Sequence, residues 1–341
     1  MSLARPALVV VAGPTASGKT ALACALAERL DAEVVSADSQ QCYRGLDAGT
    51  AKPGPKELAR APHHLLSIAE PEEQLDAATF VRLADAAIAD IGSRRKNVLV
   101  VGGTGLWIRA LLRGLVAAPG ADASFRARFR EEVAETGLPV LHARLAEVDA
   151  GSAARIGLFD RIRIERALEV HALTGQTLSE LQRAHRFAAP RYAARIVLLD
   201  PPRELLAARI GARTRALFAP DQGREGPLLR ETRALLARIE RIPAAAKALK
   251  IIGYGEAASA LEREGEDEPP SAARDGAAAE ALRKAEEATA LRTRQYARRQ
   301  RTWFRKDAPA LDALGSPVPA ASAEDAAGLF RSLREWYEAA R

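Results

Sequence analysis

The stretch Gly13-Pro14-Thr15-Ala16-Ser17-Gly18-Lys19-Thr20 constrains the fold more than any other feature of the chain. It fits the pattern G-x-x-x-x-G-K-[ST], follows the apolar run Ala7 to Ala12 and opens the amphipathic run Ala21 to Leu30. Strand, phosphate loop and helix thus stand in the order such a loop requires. Glycines let backbone N–H groups turn inward around a polyphosphate. The helix N-terminus adds partial positive charge, Lys19 adds a full one, and the Thr20 hydroxyl can ligate Mg²⁺. Residues 13–20 are therefore the expected diphosphate or nucleotide site, with Thr20 its expected metal ligand.

Around the loop, strand-length apolar runs alternate with helix-length amphipathic ones: Glu33 to Ser36, Phe80 to Ile91, Asn97 to Val101, Leu106 to Leu115, and later Arg195 to Leu199. Such alternation predicts an α/β fold, a P-loop NTPase-like parallel sheet flanked by helices. From about Asp122 to Arg191 strand signals vanish and the apolar spacing is helical, which predicts a helical insertion domain at 122–191. The expected organisation is a first core part at 1–121, the insertion, core completion with C-terminal helices at 192–312, and a last helix within 313–341. Glu262 to Ala279 holds a charged, proline-broken run and reads as a mobile linker.

A chain of 341 residues has length for about two domains of ordinary size. No apolar run approaches the ~20 residues of a membrane span, and the N-terminus is too short for a secretory leader. Two cysteines, Cys24 and Cys42, make neither a disulfide framework nor a thiolate metal cage, which leaves a reducing cytoplasm as the expected compartment. Fifty Lys and Arg against 44 Asp and Glu give +6, compatible with a polyanionic partner without demanding one.

An ordinary P-loop NTPase places a carboxylate at the end of a neighbouring strand to hold the magnesium shell. Here Val98 to Val101 ends in Gly102-Gly103-Thr104-Gly105, with no acid. Asp200 stands at the end of another strand, but the following Pro201-Pro202 reads more readily as a helix start capped by Asp200. Asp38 follows the second strand and should face the ligand crevice beside the phosphate loop. By position alone it is a proton acceptor, a magnesium ligand or a helix cap. His63 and His64, placed in a loop after Pro62, lack further metal ligands at suitable spacing and read as orienting groups for Asp38 or its loop.

Taken together, several blocks carry a resemblance. The phosphate loop, Asp38-Ser39-Gln40-Gln41 with Tyr43-Arg44-Gly45, Gly49-Thr50-Ala51-Lys52-Pro53, His63-His64-Leu65, Gly102 to Leu106, Arg163 with Arg166-Ala167-Leu168-Glu169-Val170, Thr174-Gly175, Gly253-Tyr254 and Arg294-Gln295-Tyr296-Ala297 through Trp303 occur in the order seen in tRNA dimethylallyltransferases. The chain resembles that family over nearly its whole length.

The resemblance implies transfer of a dimethylallyl group from dimethylallyl diphosphate to N6 of adenosine 37 in tRNA, beside the anticodon, with Mg²⁺ as cofactor. It implies a monomeric, cytoplasmic enzyme that binds the anticodon stem-loop. Asp38 matches the family's general base, while Lys19, Thr20 and Arg213 would stabilise the departing diphosphate. Asp38, Ser39, Gln40, Gln41 and Thr104 match positions that touch the target adenosine. Arg126 and the stretch Ile162, Arg163, Ile164, Glu165 and Arg166 match positions that meet the anticodon loop. The segment carrying Arg292, Arg294, Arg298, Arg299, Arg301, Arg305 and Lys306, interleaved with Tyr296, Trp303 and Phe304, suits phosphate contacts and stacking, with the aromatics mainly packing.

The sequence departs from the family pattern at Gly157-Leu158-Phe159, Ile162, Trp107 and Gly255. These changes bear on RNA contact more than on chemistry. Three rival readings are a small-molecule kinase, a prenyltransferase of free adenine nucleotides, and a non-catalytic RNA-binding protein.

Overall fold

The computed structural model describes residues 6–185, 190–221, 224–243, 246–262, 272–314, 318–320 and 326–340. In chain order the elements are β1 (Leu8–Ala12), α1 (Lys19–Leu30), β2 (Ala32–Ser36), α2 (Pro55–Leu58), β3 (His63–His64), α3 (Ala77–Ser93), β4 (Asn97–Gly102) and α4 (Gly105–Arg113). The helices α5 (Ala123–Thr136), α6 (Leu138–Val148), α7 (Ala150–Ala153), α8 (Arg161–Thr174) and α9 (Leu178–His185) come next. The chain continues with β5 (Ala194–Leu199), α10 (Arg203–Phe218), α11 (Pro227–Leu236), α12 (Tyr254–Glu262), α13 (Ala272–Leu311), β6 (Val318–Ala320) and α14 (Ala326–Ala339).

The strands form one sheet in the order β3-β2-β4-β1-β5-β6, and every pairing is parallel. The central strand β1 is buried along its length because both of its faces are covered. Leu8 and Val10 pack with Val98, Val100, Phe80, Trp107 and Leu111 on one face. Val9 and Val11 pack with Leu22 and Leu26 of α1 and Leu329 and Leu333 of α14 on the other. That period-2 split is what a strand dictates, and it sets the loop after β1 at the carboxyl edge of the sheet.

The chain divides into two compact units, Met1–Leu112 with Arg191–Arg341, and Arg113–Pro190. The second is the helical insertion, with a small core of its own formed by Phe129, Leu141, Leu145, Ile164, Ala167 and Leu168. It starts at Arg113 rather than at 122. The reason is visible in its hydrogen bonds: Arg166 Nη2 donates to the Pro119 carbonyl over 2.6 Å and ties that segment to α8. The last segment is not a separate appendage, since β6 pairs with β5 and α14 packs on α1.

Two local expectations change. The run expected to be a linker is helical from Ala272 onward as the start of α13, while 263–271 lie outside the described residues. Asp200 does not cap α10, whose N-cap is Pro202; its carboxylate is taken by Arg301 at 2.5 Å and Arg305 at 2.6 Å from the distant α13.

Candidate active site

The phosphate loop leaves β1 through Gly13, at φ +153°, where a β-carbon would lie 2.5 Å from the Leu199 carbonyl oxygen. Only glycine fits there. Gly18, also at positive φ, caps α1, so the first N–H groups of the helix point into the loop. Lys19 folds back and donates from Nζ to the Pro14 carbonyl at 2.7 Å. Burial lowers its pKa to about 8, an effect that the neighbouring Asp38 charge opposes and the Arg213 charge reinforces. Burial likewise lowers the pKa of Arg213. Two cations therefore share a desolvated space with one carboxylate, an arrangement that favours an added anion.

Asp38 stands just past β2. Its Oδ1 accepts the Gln40 N–H at 2.9 Å, which fixes the carboxylate in place. One pocket is lined by Thr15 and Ala16 of the loop, Asp38 and Gln40, Gly49 and Thr50, Arg213 of α10, and Thr289, Thr293 and Tyr296 of α13. Ile210, Leu217 and Ile252 add apolar wall. The site thus joins a phosphate cradle, a carboxylate and an apolar patch in one cavity.

Thr104 holds the adjoining loop, accepting the Ser39 N–H at 3.0 Å and donating to Ser39 Oγ at 3.2 Å. Gln41 points into the protein, where Nε2 donates to the Ala51 carbonyl at 2.9 Å and so anchors the 50–51 turn. That turn is further set by Glu231, whose carboxylate accepts the N–H groups of Asp47, Ala48 and Gly49 at 3.1, 2.8 and 3.4 Å and the Tyr254 hydroxyl at 2.6 Å. From the other side Arg213 Nη2 donates to the Gly49 carbonyl at 2.8 Å.

What sequence reasoning missed lies mostly on α13, where Thr289, Thr293 and Gln300 drew no expectation and Tyr296 and Trp303 were expected mainly to pack. Thr289, Thr293, Tyr296, Gln300 and Trp303 recur at spacings of three and four and form one helix face. Gln300 is buried and bridges two loops: Oε1 accepts the Thr15 N–H at 2.9 Å while Nε2 donates to the Gly103 carbonyl at 2.9 Å. A β-carbon at position 103 would come within 2.3 Å of that amide, so Gly103 makes the bridge possible. Burial raises the Tyr296 pKa, with the Asp38 charge adding to it, so its phenol stays protonated. The heptad-like spacing of uncharged residues within a basic helix was the available signal.

Other expected residues fall elsewhere. His64 Nε2 meets Glu33 at 2.7 Å and His63 Nδ1 meets the Ala61 carbonyl at 2.8 Å, both from β3 rather than a loop, so neither orients Asp38. Carboxylate and carbonyl partners closer by have claimed both rings. In the insertion, Arg163, Ile162 and Phe159 are strongly exposed, with Ile162 at 71% and Phe159 at 73%. Ile164 is instead fully buried in that unit's core, so its side chain serves packing rather than an RNA surface. Arg126 and Arg166 both bind Glu169, and Arg126 also feels the Glu165 charge. Trp107 stacks on Phe80 with ring centroids 4.4 Å apart, a core role.

Along α13, Trp303 and Phe304 pack inward, while Arg294, Arg298, Arg301 and Arg305 line, with Arg203 of α10, a groove of about 480 Å³. Among the described residues no group of three His, Cys, Asp or Glu could cage a metal ion. A cation here fits instead the oxygen-rich mode of Mg²⁺, which takes one or two protein oxygens and the oxygens of a bound phosphate. Thr20 is the second residue of α1 and lines, with Ser36 and Gln41, a small pocket other than the one holding Asp38, while the buried Ser17 hydroxyl of the loop has no protein partner.

Residues 41–307 match the family model described as IPP transferase. The chain is 54% identical over 300 residues to the tRNA dimethylallyltransferase of Anaeromyxobacter dehalogenans strain 2CP-C, covering 88% of this chain and 92% of the relative. It is 46% identical over 319 residues to that of Myxococcus xanthus, covering 93% and 95%. A crystal structure of the full-length tRNA isopentenylpyrophosphate transferase from Bacillus halodurans superposes with a TM-score of 0.64 at 29% identity, covering 98% of this chain and 97% of that one. A eukaryotic dimethylallyltransferase structure at 23% identity and a TM-score of 0.75 shares the fold.

Proposed function

The chain belongs to the IPP transferase family, and from that premise we infer how its pocket moves a dimethylallyl group from dimethylallyl diphosphate to an adenosine of tRNA. The observation that carries the reading is the single cavity joining Asp38, Arg213 and the tip of the phosphate loop beside apolar wall. A diphosphate in the loop sets the five-carbon tail against Ile210, Leu217 and Ile252. The acceptor is N6 of adenosine 37 in the anticodon stem-loop.

Reaction breaks the bond between the allylic carbon and the diphosphate oxygen and forms one from that carbon to N6. The N6 proton passes to Asp38, and diphosphate leaves. Lys19, Arg213 and the loop N–H groups face the negative charge as it develops, the preorganised electrostatics that often dominate such barriers. Mg²⁺, held by Thr20 and the diphosphate itself, would supply further positive charge to the leaving group. Tyr296 and Thr104 bound the side from which the base enters.

An adenine stacked in a loop cannot reach such a pocket without extrusion, which costs a few kcal/mol. Ser39, Gln40 and the arginines of α13 are the RNA contacts expected of the first unit, and the exposed residues of the insertion those expected of the second. A monomeric, cytoplasmic enzyme, as the family resemblance implies, is carried into this reading. A kinase reading is disfavoured by Asp200, the one acid at the end of a strand beside β1, which is neutralised by Arg301 and Arg305.

The test is incubation of the protein with unmodified tRNA bearing adenosine at position 37, dimethylallyl diphosphate and Mg²⁺. Prenylated nucleoside should form, and Asp38→Ala should abolish it with tRNA binding retained. Turnover of ATP in place of prenylation, or equal use of free AMP, would reject the reading.

A further inference from the structure

Glu169 is a fully buried carboxylate in the insertion unit that takes no part in the chemistry above. Its Oε1 accepts Arg126 Nε at 2.8 Å and the Asp122 N–H at 2.9 Å; its Oε2 accepts Arg126 Nη2 at 3.0 Å and Arg166 Nη1 at 2.7 Å. Arg166 is also tied through Nη2 to the Pro119 carbonyl. Burial opposes ionisation of Glu169, but the bonds from Arg126 and Arg166 outweigh it and hold its pKa below the ordinary value.

Neither guanidinium group is used at all of its nitrogens, although Arg166 Nη1 also reaches the Gly120 carbonyl at 3.5 Å. About a third of each side chain is exposed, 36% for Arg126 and 31% for Arg166, whereas Glu169 shows nothing to solvent. Nη1 of Arg126 and Nε of Arg166 have no hydrogen-bond partner among the described residues. Two arginines from two helices, α5 and α8, are thereby locked on one carboxylate, each with an N–H to spare, although Glu165 also acts on Arg126. Guanidinium N–H groups match phosphate oxygens, and fixing the long side chains beforehand removes the ordering cost of binding.

We propose that Glu169 is a positioning residue that holds Arg126 and Arg166 as a preformed pair of guanidinium prongs for the RNA phosphodiester backbone. The proposal rests on the reading that these arginines meet tRNA. It differs from simple charge attraction in sign, because a buried negative charge near an RNA surface should weaken binding, and its removal should tighten it.

The experiment measures binding of unmodified tRNA by fluorescence anisotropy across a salt series, with the donor KM as a control. Glu169→Gln, although it adds one unit of positive charge, should weaken tRNA binding about tenfold, since a neutral amide holds two guanidinium groups poorly. Arg126→Lys, which keeps charge but loses the fork, should do the same, and it serves if the Gln variant fails to fold. The double variant Arg126→Gln with Arg166→Gln should weaken binding and lower the salt slope by about 0.7 for each lost phosphate contact. Glu169→Gln added to that double variant should have no further effect on tRNA binding. Unchanged or tighter binding in Glu169→Gln, with the double variant impaired, overturns the positioning role alone. Normal binding by the double variant overturns the arginine reading and the proposal with it.

Discussion

The cradle and the insertion unit bury charge in opposite ways. In the cradle, Lys19 and Arg213 are desolvated cations whose nearest carboxylate, Asp38, is shared, so both hold their protons less firmly than usual. In the insertion, Glu169 is a desolvated anion with four donors on its two oxygens. An under-compensated charge marks a place waiting for a ligand, whereas a satisfied one marks scaffold. Stability and the chemical step should therefore separate along that line.

The sharpest break would come from Glu169→Ala. Leaving two guanidinium groups without their carboxylate should destabilise by about 3–5 kcal/mol, seen as early melting of the insertion by circular dichroism. Lys19→Met should do the reverse: kcat falls about 10²–10³-fold, while the melting temperature holds or rises because a desolvated charge is gone. If both variants lose stability alike, the contrast between the two regions is false.

Titration sharpens the same comparison. Because the Lys19 pKa is lowered to about 8, the free cradle loses its lysine charge as pH rises through that value. An anionic donor binds the protonated form, so kcat/KM for dimethylallyl diphosphate should fall by up to about tenfold per unit above pH 8. The linked effect on stability has the opposite direction: between pH 8 and the ordinary lysine value the unfolded chain binds the proton that the folded one releases, so stability rises with pH. Lys19→Met should flatten both profiles. The smallest effect belongs to Gln300→Ala, which strands the Thr15 N–H and the Gly103 carbonyl. A cost of about 1–3 kcal/mol is expected, read as a raised donor KM with the tRNA KM unmoved.

What the sequence revealed follows from distance along the chain. The cradle was legible because strand, loop and helix are contiguous, and Asp38 because it ends the next strand. Asp200 was misread as a cap since its partners, Arg301 and Arg305, sit on a helix that no local pattern brings near. His64 found Glu33 for the same reason. The polar face of α13 was hidden inside a segment whose arginines advertised RNA, and only packing reveals that Tyr296 and Gln300 turn the other way. Family resemblance supplied Arg126 and Arg166 with a role and Glu169 only as a member of a matching block, with no hint that the acid joins them.

The bridge made by Gln300 also bears on the order in which the active centre is assembled. The cradle is made well before the side chain that ties its tip to the β4 turn, which follows Thr15 by 285 residues. A nascent chain thus carries the anion-binding loop long before the roof that completes it. The braced form of the loop therefore waits on the synthesis of α13.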